Sequence, residues 1–277
     1  MTNELFTASG VRLRKRRQTP GAINWLLLPG GPGIGSESLN ELADSIDVAG
    51  TIWLVDLPGD GSNSAPKAPS PDYFKTWPHV LYEAIDLLPN CVYVGHSTGG
   101  MYLLSVPDLE SKIIGLVLIS TAPDASWHPR YVEMTRQNPL PEFDVALQQY
   151  QQQQTNETLR EIAVASASWN FTPQGLSVGR DLLARMPYTL AAVEWSDRHF
   201  DHTYVAQWWP KSLPTLIVSG ADDRIVDQAL WDNPRFQADN ILRRSIREAA
   251  HFPWIEQPGA VREAFADMSA RIVIHEQ

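Results

Sequence analysis

Ser97 lies in the run Gly95-His96-Ser97-Thr98-Gly99-Gly100. A serine hydroxyl is a poor nucleophile until a neighbouring base takes its proton, so what matters is where the chain presents it. The apolar stretch before it, Cys91–Val94, reads as a buried strand, and the stretch after it, Met101–Val106, reads as a helix. A strand that turns sharply into a helix holds the serine in a strained backbone conformation. Glycines two residues before and two after let neighbouring backbone pass close by. The hydroxyl is then lifted above the carboxyl end of a sheet, at a helix N-terminus whose dipole favours negative charge. This is the setting in which G-x-S-x-G forms a nucleophile elbow. The plain alternative is a glycine-rich turn that happens to contain a serine. The flanking strand, the following helix and the extra Gly100 favour the chemical reading.

A sheet must position that turn, and the chain carries runs suited to build one. Ile23–Leu28, Thr51–Leu57, Cys91–Gly95, Ile113–Ser120 and Thr215–Ser219 are short, apolar and closed by Gly, Pro, Asp or Ser. Continuous runs of this kind read as strands buried on both faces. Ile241–Ile246 is more polar and reads as a strand at a sheet edge. The segments between read as helices, around Ser38–Ser45, Asp72–Leu88, Gly100–Val106, Asp227–Gln237 and Ala260–Ile272. Alternating strands and helices imply an α/β fold, a mostly parallel sheet with helices on both faces. The rhythm stops between residues 123 and 210, where no buried strand is visible. A structureless loop of that length is implausible in a compact domain. The glutamine-rich run over 148–154 sits among good helix formers. The expected organisation is therefore a core of residues 1–122 and 211–277 with a helical cap insertion over 123–210.

The elbow and the strands around it resemble the α/β-hydrolase family. That family orders its triad as serine, acid, histidine. His251 and His275 are the histidines beyond the last apolar strand, and His275 is the third residue from the end of the sequence. The segment Ala249-Ala250-His251-Phe252-Pro253-Trp254 looks like the family's histidine loop, which assigns the general base to His251. The plain alternative is a loop histidine packed on Trp254. The acid should follow the strand Thr215–Ser219, where Asp222 and Asp223 both stand. The family's Gly-x-x-Asp pattern selects Asp223, which would orient the imidazole and stabilise its cation. The resemblance also implies an oxyanion hole of two backbone N–H groups. One belongs to Thr98, and the other, in the glycine-rich Pro29-Gly30-Gly31-Pro32-Gly33, belongs to Gly31. Pro29 stands where the family more often has histidine. No Gly-Lys-Ser/Thr follows this loop, so it does not read as a phosphate cradle. The segment Asp56–Ser64 is similar to the family's D-x-P-G-x-G-x-S turn and reads as turn chemistry. The resemblance covers residues 23–122 and 213–272.

Gly30-Gly31-Pro32-Gly33 and His251-Phe252-Pro253-Trp254 are similar to the proline iminopeptidase branch. That branch usually carries tryptophan beside the nucleophile, where this chain has His96 and Thr98. Its cap also supplies acids that bind a substrate amine. Glu142, Glu161 and Glu194 lie in the insertion, but a single acidic residue there is more often a solvated one. His128, His199 and His202 also lie there, at a spacing that fits no metal site. The expected reaction is hydrolysis of an ester or amide of a small-molecule substrate through an acyl-enzyme, with no metal and no cofactor. An iminopeptidase-like aminopeptidase is one alternative. Acyl transfer, C–C bond hydrolysis or peracid formation on the same fold is another, and a non-catalytic hydrolase-fold binding protein is a third. A dehalogenase or epoxide hydrolase would need aspartate in place of Ser97.

Bulk properties agree. The 277 residues carry a formal net charge of −10, which disfavours nucleic acid and anionic membrane as partners. The basic run Arg12–Arg17 reads as a solvated hairpin. The single cysteine, Cys91, allows no intrachain disulfide and reads as a core residue. The absence of a signal-like N-terminus or an 18-residue apolar span makes a cytoplasmic location the expectation.

Overall fold

The computed structural model describes residues 3–63 and 73–272, so Ser64, Asp72 and His275 lie outside it. Eight strands form one sheet. They are β1 (Glu4–Phe6), β2 (Arg12–Gln18), β3 (Asn24–Leu28), β4 (Thr51–Asp56), β5 (Cys91–His96), β6 (Gly115–Ile119), β7 (Thr215–Gly220) and β8 (Ile241–Ile246), in the order β1-β2-β4-β3-β5-β6-β7-β8. The pairs from β4 through β8 are parallel, and β1 and β2 join antiparallel at one edge.

The apolar runs are continuous because both sheet faces are covered. Leu26, Leu28, Tyr93 and Leu118 point into one core layer, while Trp25, Leu27, Val92 and Val117 point into the other. On the second face lie α1 (Asn40–Ser45) and the late pair α10 (Pro253–Glu256) and α11 (Pro258–Ser269). On the first lie α2 (Leu81–Leu87) and α3 (Thr98–Leu104). The edge strand β8 exposes Arg243 and Arg244, charges that discourage pairing with another sheet.

Six helices fill the interval between β6 and β7: α4 (Trp127–Gln137), α5 (Pro141–Gln152), α6 (Asn156–Ala165), α7 (Ala167–Asn170), α8 (Leu176–Ala184) and α9 (Leu190–His199). Thr155 begins α6 with a capping box, its hydroxyl accepting the N–H of Thr158 while the Thr158 hydroxyl accepts the N–H of Thr155. The glutamine-rich stretch falls largely in α5.

Three expectations change. The helix expected over 72–88 is a 3₁₀ turn, Tyr73–Thr76, followed by the shorter α2. Pro78 separates them, because it lacks an N–H and disfavours helix in the residue before it. The helix expected over 227–237 is two 3₁₀ turns, Gln228–Trp231 and Pro234–Phe236. Pro234 breaks it, and Asp227 and Asn233 each restart a turn by accepting a backbone N–H two residues on. The basic run is β2, which pairs with β1 as the expected hairpin but is built into the sheet and only partly solvated. Leu13 is fully buried, and Arg12 donates to the buried Asp56 carboxylate at 2.8 Å and 3.2 Å. Arg14 lies 3.4 Å from the same carboxylate. Arg12 and Arg14 thus partner a carboxylate at the end of β4 that needs them when desolvated, while Arg16 pairs with Asp44.

Among the described residues, no helix is long and apolar enough to cross a membrane. Cys91 is buried, as expected of a core residue, and burial pushes its thiol up to about 12.

Candidate active site

Strand register brings the chemistry together. β3 and β5 are parallel neighbours with Leu28 opposite Gly95. The glycine loop that follows Leu28 and the elbow that follows His96 therefore leave the sheet side by side. The chain runs from β3 to β4 on one side and returns to β5 on the other, which opens a crevice at the carboxyl ends. Likewise Gly220 of β7 pairs with Ile246 of β8, so the loops holding Asp223 and His251 emerge together.

Ser97 turns the chain with φ 49° and ψ −124°, a left-handed φ that a side-chain-bearing residue seldom adopts. Its surroundings fix it there. The Ser97 N–H donates to the Ile119 carbonyl at 2.8 Å, and the Ser97 carbonyl accepts from the Thr121 hydroxyl at 2.6 Å. The glycines are required by close approach. A Cβ on Gly95 would stand 2.6 Å from Gly100 Cα, and one on Gly99 would stand 2.4 Å from the Pro29 carbonyl oxygen.

His251 is almost wholly buried. Its Nδ1 lies 3.1 Å from Asp223 Oδ1 and 3.2 Å from Oδ2. The Asp223 side chain is fully buried and accepts the N–H groups of Ile225 at 3.0 Å and Val226 at 3.1 Å, with the Gln228 amide at 3.2 Å. A carboxylate held this way accepts a proton-bearing Nδ1, which leaves the Nε2 lone pair of His251 free to act as a base. Asp222 is solvent-exposed; of the adjacent pair, Asp223 reaches the imidazole.

Gly31 and Thr98, the expected oxyanion donors, lie on facing segments. The Thr98 hydroxyl donates to the Gly31 carbonyl at 2.9 Å, which ties the loop to the elbow. Gly30 is pressed on Ser97, so a Cβ there would stand 2.6 Å from Ser97 Cβ. Ser97, His251, Gly31 and Thr98 all line one cavity of about 190 Å³. Trp127, Ala163, Ser166 and Asn170 of the insertion close it from above.

Three supporting residues were not singled out by sequence. His96 is buried, and desolvation holds its pKa well below the ordinary 6.5. The neutral ring's Nε2 lies 3.1 Å from the His251 carbonyl and donates to it. The His251 N–H donates to the Asn170 carbonyl at 3.1 Å, so the backbone of His251 is clamped on both sides. Glu256 is the second. Its carboxylate accepts from Ala250 N–H at 2.6 Å and from Thr172 N–H at 2.7 Å and hydroxyl at 2.6 Å, tying the histidine loop to the insertion. Glu256→Ala should cost about 2 kcal/mol of stability, since three donors lose a charged acceptor. It should also lower kcat about tenfold, because the base loses its fixed loop. Urea unfolding and steady-state turnover of a p-nitrophenyl ester check both effects.

Asp60 is the third. It lies in the segment expected to be turn chemistry alone, yet its buried Oδ1 accepts the Gly33 N–H at 2.8 Å and so pins the glycine loop. Burial pushes its carboxyl up to about 7, with the neighbouring Asp56 adding and the Gly33 and Gly61 amides opposing. The folded chain thus holds this proton more tightly than the unfolded chain. The resulting stability is complete below pH 3.8 and is lost as pH rises to about 7. The loss amounts to about 4 kcal/mol at 1.36 kcal/mol per pH unit. Asp60→Asn keeps an acceptor for Gly33 without the charge. Its stability relative to wild type should therefore rise between pH 4.5 and pH 7.5 in urea titrations, and parallel curves would contradict this origin.

The acids and histidines of the insertion stand elsewhere. Glu142 pairs with Arg180, and Glu194 pairs with Arg198 at 2.7 Å. Glu161 lines a separate surface hollow. His128 and His202 pack ring to ring at 4.4 Å. Among the described residues, no group of three or more His, Cys, Asp or Glu is arranged to hold a metal ion.

With this fold and site in view, the chain belongs to the alpha/beta hydrolase family, whose sequence model matches residues 25–264. It is similar to a pimeloyl-[acyl-carrier protein] methyl ester esterase of Xylella fastidiosa (strain 9a5c), 29% identical over 98 residues. That match spans 35% of this chain and 36% of the relative. Among solved structures it is similar to a proline iminopeptidase-related protein from Thermus thermophilus, at TM-score 0.71 and 18% identity, covering 98% of each chain. A Bacillus anthracis alpha/beta fold family hydrolase aligns at TM-score 0.72 and 15% identity, covering 97% of this chain and 99% of the other. An esterase from Thermogutta terrifontis aligns at TM-score 0.64 and 17% identity, covering 96% and 97%. At these identities the structural likeness shows the fold.

Proposed function

We propose that this protein is a serine hydrolase that cleaves an ester or amide bond of a small substrate in two steps. Ser97 attacks the carbonyl carbon as His251 takes its proton, and Asp223 stabilises the imidazolium that forms. The carbonyl oxygen becomes an oxyanion held by the N–H groups of Gly31 and Thr98. His251 then protonates the leaving group, giving an acyl-enzyme on Ser97. Water, deprotonated by His251, attacks that ester and releases the acid. The observation that carries this reading is the orientation of His251 by Asp223 at a distance of 3.1 Å, with His251 and Ser97 facing one cavity.

An acyl-enzyme has lost its leaving group before water arrives, so its fate cannot depend on that group. Three esters of one acid with different alcohols should therefore divide their acyl group between water and added hydroxylamine in one constant ratio. A ratio that changes with the alcohol would show direct attack by water and overturn the two-step scheme.

A further inference from the structure

We infer that the cavity above Ser97 receives an uncharged acyl group and rejects one bearing a charge next to the carbonyl; this narrows the serine-hydrolase reading and rests on it. Once the acyl group is joined to Ser97, its first carbon atoms enter this cavity, which Ser97 itself lines. The wall there is apolar, with Ile34, Met101, Leu183, Ile225 and Phe252 among its residues. None of the lining residues is Asp, Glu, Lys or Arg.

Several of the polar groups that line it are engaged, while Trp127 Nε1 and His96 Nδ1 are buried without a partner and neither carries a charge. The Tyr188 hydroxyl donates to the Leu183 carbonyl at 3.0 Å, and the Ser166 hydroxyl donates to the Ala163 carbonyl at 2.8 Å. The Asn170 amide donates to the Ser166 carbonyl at 3.1 Å. His96 is buried and neutral, so it offers a cation no counter-charge. The carboxylate that faces the imidazole, Asp223, is sealed behind His251 with its oxygens occupied by Ile225, Val226 and Gln228.

A cation on the α-carbon would therefore lose its water and gain no carboxylate partner, which is the costly case of charge burial. An aminopeptidase substrate carries an ammonium at that position. The acids of the insertion do not reach it, since Glu142 and Glu194 pair with arginines and Glu161 lines a different hollow. The cavity thus bears on two of the readings the sequence left open, favouring uncharged esters or amides over N-terminal aminoacyl substrates.

An isosteric pair tests this on the wild-type protein. The p-nitrophenyl esters of 3,3-dimethylbutyrate and of betaine differ in one atom, a quaternary carbon against a permanently charged nitrogen. Each acyl group has about seven non-hydrogen atoms, a fair match to a cavity somewhat larger than the ~150 Å³ that holds benzene. Each kcat/KM is divided by the ester's spontaneous hydrolysis rate, which removes the difference in intrinsic reactivity. The neutral ester should be favoured by at least ~100-fold, as expected for an unpaired buried charge. A ratio near one, or in favour of betaine, overturns the inference. Fluorophosphonate labelling of Ser97 in the same preparation separates the two possible failures. If Ser97 labels but the neutral ester is not preferred, or is not turned over, the charge-exclusion inference alone falls. If Ser97 does not label, the serine-hydrolase reading falls and takes the inference with it.

Discussion

Ser97→Ala should lower the turnover of an activated ester by about 10⁶-fold, leaving at most a slow residual rate above buffer. The loss follows from the division of labour at the elbow. In the proposed mechanism His251 could still take a proton and the amides of Gly31 and Thr98 could still hold an oxyanion, but no nucleophile would stand between them. The fold should be indifferent. The hydroxyl has no structural partner that the elbow needs, since the Ser97 N–H and carbonyl make the bonds to Ile119 and Thr121. Unfolding midpoints within about 1 kcal/mol of wild type should accompany the lost activity. Wild-type turnover by this variant would remove Ser97 from the reaction.

Asp223→Asn should cost about 10⁴-fold in kcat with little change in KM. One oxygen, Oδ1, accepts the backbone amides of Ile225 and Val226 and lies 3.1 Å from the ring, and the second, Oδ2, lies 3.2 Å from both the Gln228 amide and the ring. In the asparagine variant the remaining carbonyl oxygen stays with the two amides. The NH₂ group then points at His251 Nδ1 and donates to it. This forces the ring proton onto Nε2, where a lone pair is needed. A pure packing role for Asp223 predicts instead that the near-isosteric asparagine keeps most of the activity. The pair Asp223→Asn and Asp222→Asn separates the neighbours, because the exposed Asp222 should be replaceable without loss of rate.

The parts of this site legible in the sequence were those with a strong local pattern. The strands of the parallel sheet announced themselves because residues buried on two faces must be continuously apolar, as in Leu26–Leu28 and Val92–Val94. The elbow was legible because Gly95 and Gly99 sit where backbone approaches within van der Waals distance. His251 and Asp223 were found only through the chain order that the family resemblance supplied, and Asp223 was separated from Asp222 by a pattern, not by physics. What stayed hidden depends on contacts distant in sequence. Asp60 looks like an ordinary turn aspartate, and nothing local marks its bond to Gly33, 27 residues away. Glu256 reads as a helix glutamate until Thr172 is folded onto it, 84 residues distant. His96 drew notice only as the neighbour of Ser97, although its ring holds the backbone of a residue 155 positions on. The basic strand β2 misled for the same reason, since its partner Asp56 lies on a different strand. Two prolines, Pro78 and Pro234, gave a local signal that helix periodicity overrode.

The nucleophile itself is open to direct measurement. Native protein treated with a fluorophosphonate and then mapped by peptide mass spectrometry should carry one adduct, on the peptide containing Ser97. Prior unfolding should abolish the reaction, and His251→Ala should slow it by orders of magnitude. A folded, unlabelled protein, or an adduct on another serine with Ser97 untouched, would contradict the account.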